Sequence, residues 1–133
     1  MAINLLIVDD SGVMRAMVLK TMRMAGLELA DVYEAANGQE GLDLLENHWI
    51  DLAIVDINMP VMNGEEMIDR MKENPETKEI PVVVISTEGS KARIESLQHK
   101  GATFIHKPFS PESIRDTVKH LLRMEESDDK TDS

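Results

Sequence analysis

Short apolar runs alternate along this chain with stretches in which apolar residues recur every three or four positions. That is the pattern of strands alternating with amphipathic helices. Ile3-Asn4-Leu5-Leu6-Ile7-Val8 is too short for a helix and β-branched at three of six positions. It is stopped by Asp9-Asp10-Ser11-Gly12 and reads as a buried strand. Val13, Met14, Met17, Val18 and Met22 then fall on one helix face, ending near Gly26, and the methionines are expected in the core. Val32-Tyr33-Glu34-Ala35 is a second, more exposed strand, after which Asn37 can cap a helix carrying Leu42, Leu44 and Leu45. Leu52-Ala53-Ile54-Val55 is a third strand, again ending in an acid, Asp56.

The second half repeats the alternation. A loop, Ile57-Asn58-Met59-Pro60-Val61-Met62-Asn63-Gly64, leads to a helix with Met67, Ile68 and Met71. Pro81-Val82-Val83-Val84-Ile85 is a fourth strand, with Pro at its first position, where a missing N–H costs least. A helix around Ile94 and Leu97 stops at Lys100-Gly101, and Thr103-Phe104-Ile105-His106 is the fifth strand. Ser110-Pro111-Glu112 starts the last helix, with Ser as N-cap and Pro at the first helical position. Five βα units with near-continuous apolar strands predict an α/β fold, a doubly wound parallel sheet with helices on both faces. One domain is expected over residues 1–124. Residues 125–133, with five acids, one Lys and no apolar side chain, are expected to form a disordered acidic tail.

Composition narrows the function. With 25 Asp+Glu against 14 Lys+Arg the net charge is −11, which would repel nucleic acid, and no nucleic-acid partner is expected. The absence of cysteine excludes disulfides and thiolate chemistry. No apolar run approaches the roughly 20 residues of a spanning helix, so no membrane insertion is expected. MAINLLIVDD does not read as a signal peptide, because acid follows the apolar run, and a cytoplasmic location is expected. Aromatics are 3% of residues, so the core must be aliphatic. Trp49 is expected to be partly buried at a helix end, and His48, His99 and His120 solvated. His106, beside Lys107, reads as a plain strand residue.

In parallel sheets the functional site lies at the carboxyl ends of the strands. There stand Asp9 and Asp10 after the first strand, Asp56 after the third, Ser86-Thr87 after the fourth and Lys107 after the fifth. Singly, each acid or hydroxyl has a plainer explanation as the N-cap of the next helix, and Lys107 as a solvated charge. Together, three carboxylates at one edge repel each other, and a fold retains them with a compensating cation. A hard divalent ion such as Mg²⁺ suits carboxylates, a backbone carbonyl and waters. Lys107 and the Ser86 hydroxyl beside it would complete a site for a phosphoryl group. Neither GxxxxGK[ST] nor GxGxxG occurs, so that phosphoryl is not expected to belong to a bound nucleotide.

Asp9-Asp10, Asp56, Ser86 and Lys107-Pro108-Phe109, with the loop from Asn58 to Gly64, resemble the receiver domain of two-component response regulators over residues 3–123. The resemblance implies a flavodoxin-like (βα)5 fold. It also implies that Asp56 is the phosphoacceptor and that Asp10, Asp56 and the Asn58 carbonyl ligate Mg²⁺, with Asp9 holding the metal's waters. By the same resemblance Ser86 takes a phosphoryl oxygen, Lys107 pairs with its charge, and Phe104 matches the aromatic that swings inward on activation. Many members carry Thr where this chain has Ser86, and Tyr where it has Phe104.

A histidine kinase is then the expected partner, and a downstream target would dock on the face of the fourth helix, fifth strand and fifth helix. A monomer is expected, with no output domain after residue 123. Asn58, two past the acceptor, and Glu88, two past Ser86, resemble the chemotaxis and motility subgroup and are expected to tune the lifetime of the phosphorylated state. Three other readings remain. A single-domain phosphorelay intermediate has the same layout. A Mg²⁺-dependent phosphohydrolase of the haloacid-dehalogenase kind would need DxDx[TV] after the first strand, where this chain has Asp9-Asp10-Ser11-Gly12-Val13. A metal-free scaffold would use the acids only as caps. On the receiver reading the protein is not an enzyme beyond its own phosphorylation and dephosphorylation.

Overall fold

The computed structural model describes residues 2–87 and 89–123. Strands and helices alternate throughout: β1 (Ile3–Val8), α1 (Gly12–Met24), β2 (Leu29–Ala35), α2 (Gly38–Asn47), β3 (Leu52–Val55), α3 (Gly64–Glu73), β4 (Val82–Ser86), α4 (Lys91–His99), β5 (Thr103–His106) and α5 (Pro111–Leu122). The five strands form one parallel sheet in the order β2-β1-β3-β4-β5. Glu88 and the acidic tail lie outside the described residues. Among the described residues, no helix is long and apolar enough to cross a membrane.

Both faces of the sheet are buried because its central strands are apolar at every position but Asn4 of β1 and Ser86 of β4, and their alternation supplies two cores. Leu6, Val8, Ala53, Val55, Val82 and Val84 point to one side, where Met67, Ile68 and Met71 of α3 and Leu97 of α4 cover them. Leu5, Ile7, Leu52, Ile54, Val83 and Ile85 point to the other, under Val18 and Met22 of α1 and Ile114 and Val118 of α5.

The expected α1 face needs correcting. Val18 and Met22 are buried and Met14 packs on the core, but Val13 is 74% and Met17 50% exposed. At about 100° per residue, positions 14, 18 and 22 form one stripe, while 13 and 17 form another rotated toward solvent. Trp49, expected to be partly buried, is 79% exposed, because Ile50 rather than Trp49 turns into the core. His48, His99 and His120 are exposed as expected.

Every helix begins on a short polar cap. Ser11 accepts from the Met14 N–H, Asn37 from Glu40, Asn63 from Glu66, Ser90 from Arg93 and Ser110 from Ser113. None of Asp9, Asp10, Asp56 or Ser86 is among these caps. The plain explanation of the strand-end acids as helix caps therefore fails, and their clustering needs another cause.

Candidate functional site

The strand order reverses direction between β1 and β3, and this switch point opens a crevice at the carboxyl ends of those two strands. The pairing register sets Val8 opposite Val55, so the residues that follow, Asp9 and Asp56, emerge side by side. Their backbones continue the ladder: Asp56 N–H donates to Val8 O at 2.9 Å, and Asp9 N–H donates to Ala35 O at 3.0 Å. Asp9, Asp10 and Asp56 each offer a carboxylate oxygen, and these oxygens lie within 4.8 Å of one another. Asp9 is buried, Asp56 half-buried and Asp10 exposed.

Burial acts first on both inner acids. It raises the Asp9 carboxyl above its ordinary value, with the Asp10 charge adding to the rise and the Ser11 N–H and Lys107 opposing it. Asp56 is raised by burial and then by the Asp9 charge, again against Lys107. Lys107 thus acts on both acids, and with them it borders one small cavity under the strand ends. Its backbone N–H donates to Ser86 O at 3.0 Å, which fixes the end of β5 to the end of β4. Ser86 is 1% exposed at the last position of β4. Such a cluster of hard oxygen donors around mutually repelling charges fits a small divalent cation.

The remaining sequence candidates are placed less closely. Asn58 is exposed on the loop two residues beyond Asp56. Phe104 is half-buried against the α3–α4 core, and its ring meets the edge of His106 at 4.8 Å between centroids. Glu88 lies outside the described residues.

Two positioning residues were missed by sequence reasoning. The Arg15 guanidinium donates to Asp9 O at 2.6 Å and to Glu34 Oε1 at 2.8 Å, pinning the β1–α1 turn to β2. Gly64, the first residue of α3, sits directly on the Asp56 backbone. A Cβ there would overlap the Asp56 carbonyl oxygen and stand 3.0 Å from Ile57 Cα. Asn63-Gly64 was visible as part of the loop motif, but its packing reason was not. Arg15 carried no signal beyond being a cation in the first turn of a helix.

The raised acids make stability depend on pH in a definite direction. Their folded pKa values exceed the unfolded 3.8, so the native state binds more protons there. Their contribution is fully present below that value and is lost as pH rises through the folded pKa values. At neutral pH, without divalent cation, Asp9→Asn is therefore expected to melt higher than wild type. The gap should close as pH falls toward 3.8. Mg²⁺ should raise the wild-type midpoint by binding linkage, and that of Asp9→Asn less. Thermal unfolding by circular dichroism across pH and Mg²⁺ concentration tests this, and a wild type indifferent to millimolar Mg²⁺ would count against a metal site.

Residues 5–119 match the family model described as the response regulator receiver domain. The chain is 35% identical to a chemotaxis protein CheY homolog of Campylobacter jejuni, over 90% of this chain and 92% of that protein. It is 36% identical to chemotaxis protein CheY1 of Helicobacter pylori, over 90% of this chain and 96% of that one. Among solved structures, the chemotaxis response regulator CheY4 of Vibrio cholerae superposes with a TM-score of 0.78 at 34% identity. That match covers 92% of this chain and all of the other.

Proposed function

Because the chain belongs to the response regulator receiver family, we propose that it accepts a phosphoryl group on Asp56 from a histidine kinase and signals through a phosphorylation-dependent surface. The observation that carries this reading is the convergence of Asp9, Asp10 and Asp56 beside Lys107, at the switch point of a parallel sheet. The names of the relatives favour chemotaxis or motility as the pathway it serves.

In this reading an Asp56 carboxylate oxygen attacks phosphorus. The new O–P bond forms as the bond from phosphorus to the donor histidine nitrogen breaks, and the imidazole leaves with the electron pair and takes up a proton. Asp10, Asp56 and the Asn58 carbonyl would hold Mg²⁺, with Asp9 holding its waters, and the ion would supply neutralisation of the charge on the transferring oxygens. Lys107 contributes a fixed positive charge at the same place, and the Ser86 hydroxyl donates to a phosphoryl oxygen.

Recruitment of Ser86 and Lys107 toward the aspartyl phosphate then shifts β5, where Phe104 lies two residues before His106, the pairing partner of Ser86. That shift is read by a downstream target on the face of α4, β5 and α5. Moving a switch from 1:99 to 99:1 takes about 5.5 kcal/mol of differential stabilisation, which a few charge-assisted contacts can supply. In the same reading Asn58, two residues past the acceptor, borders the approach of a hydrolytic water to Asp56.

Incubation with Mg²⁺ and acetyl phosphate, followed by intact mass spectrometry, is expected to show one labile phosphoryl adduct and no sustained release of phosphate from organic phosphates. Steady turnover would assign the site to a phosphohydrolase, and an unchanged mass would refute phosphoryl acceptance by this chain.

A further inference from the structure

At the opposite end of β3 from Asp56 lies a groove of about 500 Å³, between the end of α2 and the segment joining α3 to β4. Its floor is apolar, formed by Leu45, Ile50 and Ile80, and its rim carries Glu46, Glu76 and the exposed Trp49. The indole is not loose. Its Nε1–H donates to Asp51 Oδ1 at 3.2 Å, and the other carboxylate oxygen accepts from the Asn4 backbone N–H at 2.9 Å. Asp51 thus anchors Trp49 to β1, while the indole stands 79% exposed. A large aromatic tethered by a hydrogen bond has less conformational freedom to lose when a partner arrives, which favours binding.

We propose that this groove is a docking site for an arginine side chain presented between apolar neighbours by a partner protein. An indole face attracts a cation, and a planar guanidinium can stack on it while its N–H groups reach carboxylates. Glu46 and Glu76 supply those carboxylates, and Leu45, Ile50 and Ile80 receive the flanking apolar side chains. Charge also selects the occupant. A second copy of this chain would bring a net charge of −11 to an acidic rim, and residues 125–133 bring five acids against one Lys. Both are repelled, whereas a basic segment is attracted. Because the groove and Asp56 lie at opposite ends of β3, the docked segment leaves the acceptor accessible.

Trp49 is the chain's single tryptophan, so its emission reports on the groove directly. The test titrates the full-length protein with acetyl-Leu-Arg-Leu-amide and with its citrulline counterpart, which has nearly the same shape and no charge. The arginine peptide is expected to change Trp49 emission saturably, with amide shifts concentrated in residues 45–50 and 76–80 and weakening as salt is added. The citrulline peptide should bind about tenfold more weakly, from loss of the cation's attraction to the indole and carboxylates. Glu46→Gln with Glu76→Gln, two exposed positions whose change spares the core, should bring the arginine peptide down to the citrulline level. Equal binding of the two peptides, no saturation, or shifts elsewhere would overturn the proposal. So would emission that changes with protein concentration alone, which would assign the groove to a second copy. A change on deleting residues 124–133 would assign it to the chain's own tail and overturn the proposal equally.

Discussion

Asp56→Asn is expected to abolish the phosphoryl adduct completely while leaving the fold intact. The three acids are not equivalent in the structure. Asp9 is 6% exposed, and its Oδ1 accepts from the Ser11 N–H at 2.9 Å, so it is enclosed and already engaged. Asp10 is exposed, at the outer side of the cluster. Asp56 combines partial access with the fixed backbone that an in-line attack requires, through its N–H to Val8 O at 2.9 Å. An amide at this position keeps the shape and loses the nucleophilic oxygen. It also removes a charge that burial and Asp9 penalise, so the variant should melt above wild type at neutral pH without Mg²⁺. Intact mass after acetyl phosphate treatment, paired with thermal unfolding, reads both effects. An adduct that persists and maps to Asp10 or Ser86 would move the acceptor elsewhere.

The sequence made some parts of this molecule legible and concealed others for physical reasons. β1, β3 and β5 were readable to the residue, because short apolar runs bounded by acids or turn residues admit no competing period. β2 begins at Leu29 rather than Val32. Its first residues join the sheet through Ile3↔Leu29, across an irregularity in the register, which no local pattern reports. Val13, Met17 and Trp49 misled in the same direction. Apolar chemistry alone does not say which of two adjacent helical stripes faces inward, nor whether Trp49 or Ile50 enters the core. At the site, the strand-end rule selected Asp9, Asp10, Asp56, Ser86 and Lys107, and the structure clusters the three acids within 4.8 Å with Lys107 beside them. Arg15 and Gly64 gave no sign of these roles because each acts through loop geometry, which residue type and periodicity do not report. Arg15 acts on the Asp9 carbonyl, and Gly64 on the backbone of Asp56 and Ile57.

Gly64→Ala carries the largest expected cost in stability of any single methyl addition among the described glycines. The added Cβ would overlap the Asp56 carbonyl oxygen and press on Ile57 Cα at 3.0 Å. Both obstacles are backbone. The clash cannot be relieved by a rotamer change, as it could where a glycine faces a flexible methionine. Relief requires α3 to slide away from the end of β3, which would strain the 2.8 Å bond from Gly64 N–H to Ile57 O and the packing of Met67 and Ile68 beneath. Overpacking of this kind costs about 3 kcal/mol at the upper end of its usual range, a large fraction of the 5–15 kcal/mol typical of a domain. Urea unfolding should therefore show a markedly lower midpoint. Gly89→Ala is the control. Nothing lies within 4 Å of a Cβ there, so the methyl should be neutral or slightly stabilising through the unfolded chain. Gly64 is also a positioning residue for Asp56, since its N–H ties the start of α3 to the carbonyl of Ile57, the residue that follows the acceptor. Phosphoryl uptake by Gly64→Ala should then be slower than wild type even where far-ultraviolet circular dichroism shows the variant fully folded. A variant with the wild-type urea midpoint would disprove the close approach, and a folded variant with wild-type uptake would show that α3 does not hold the acceptor in place.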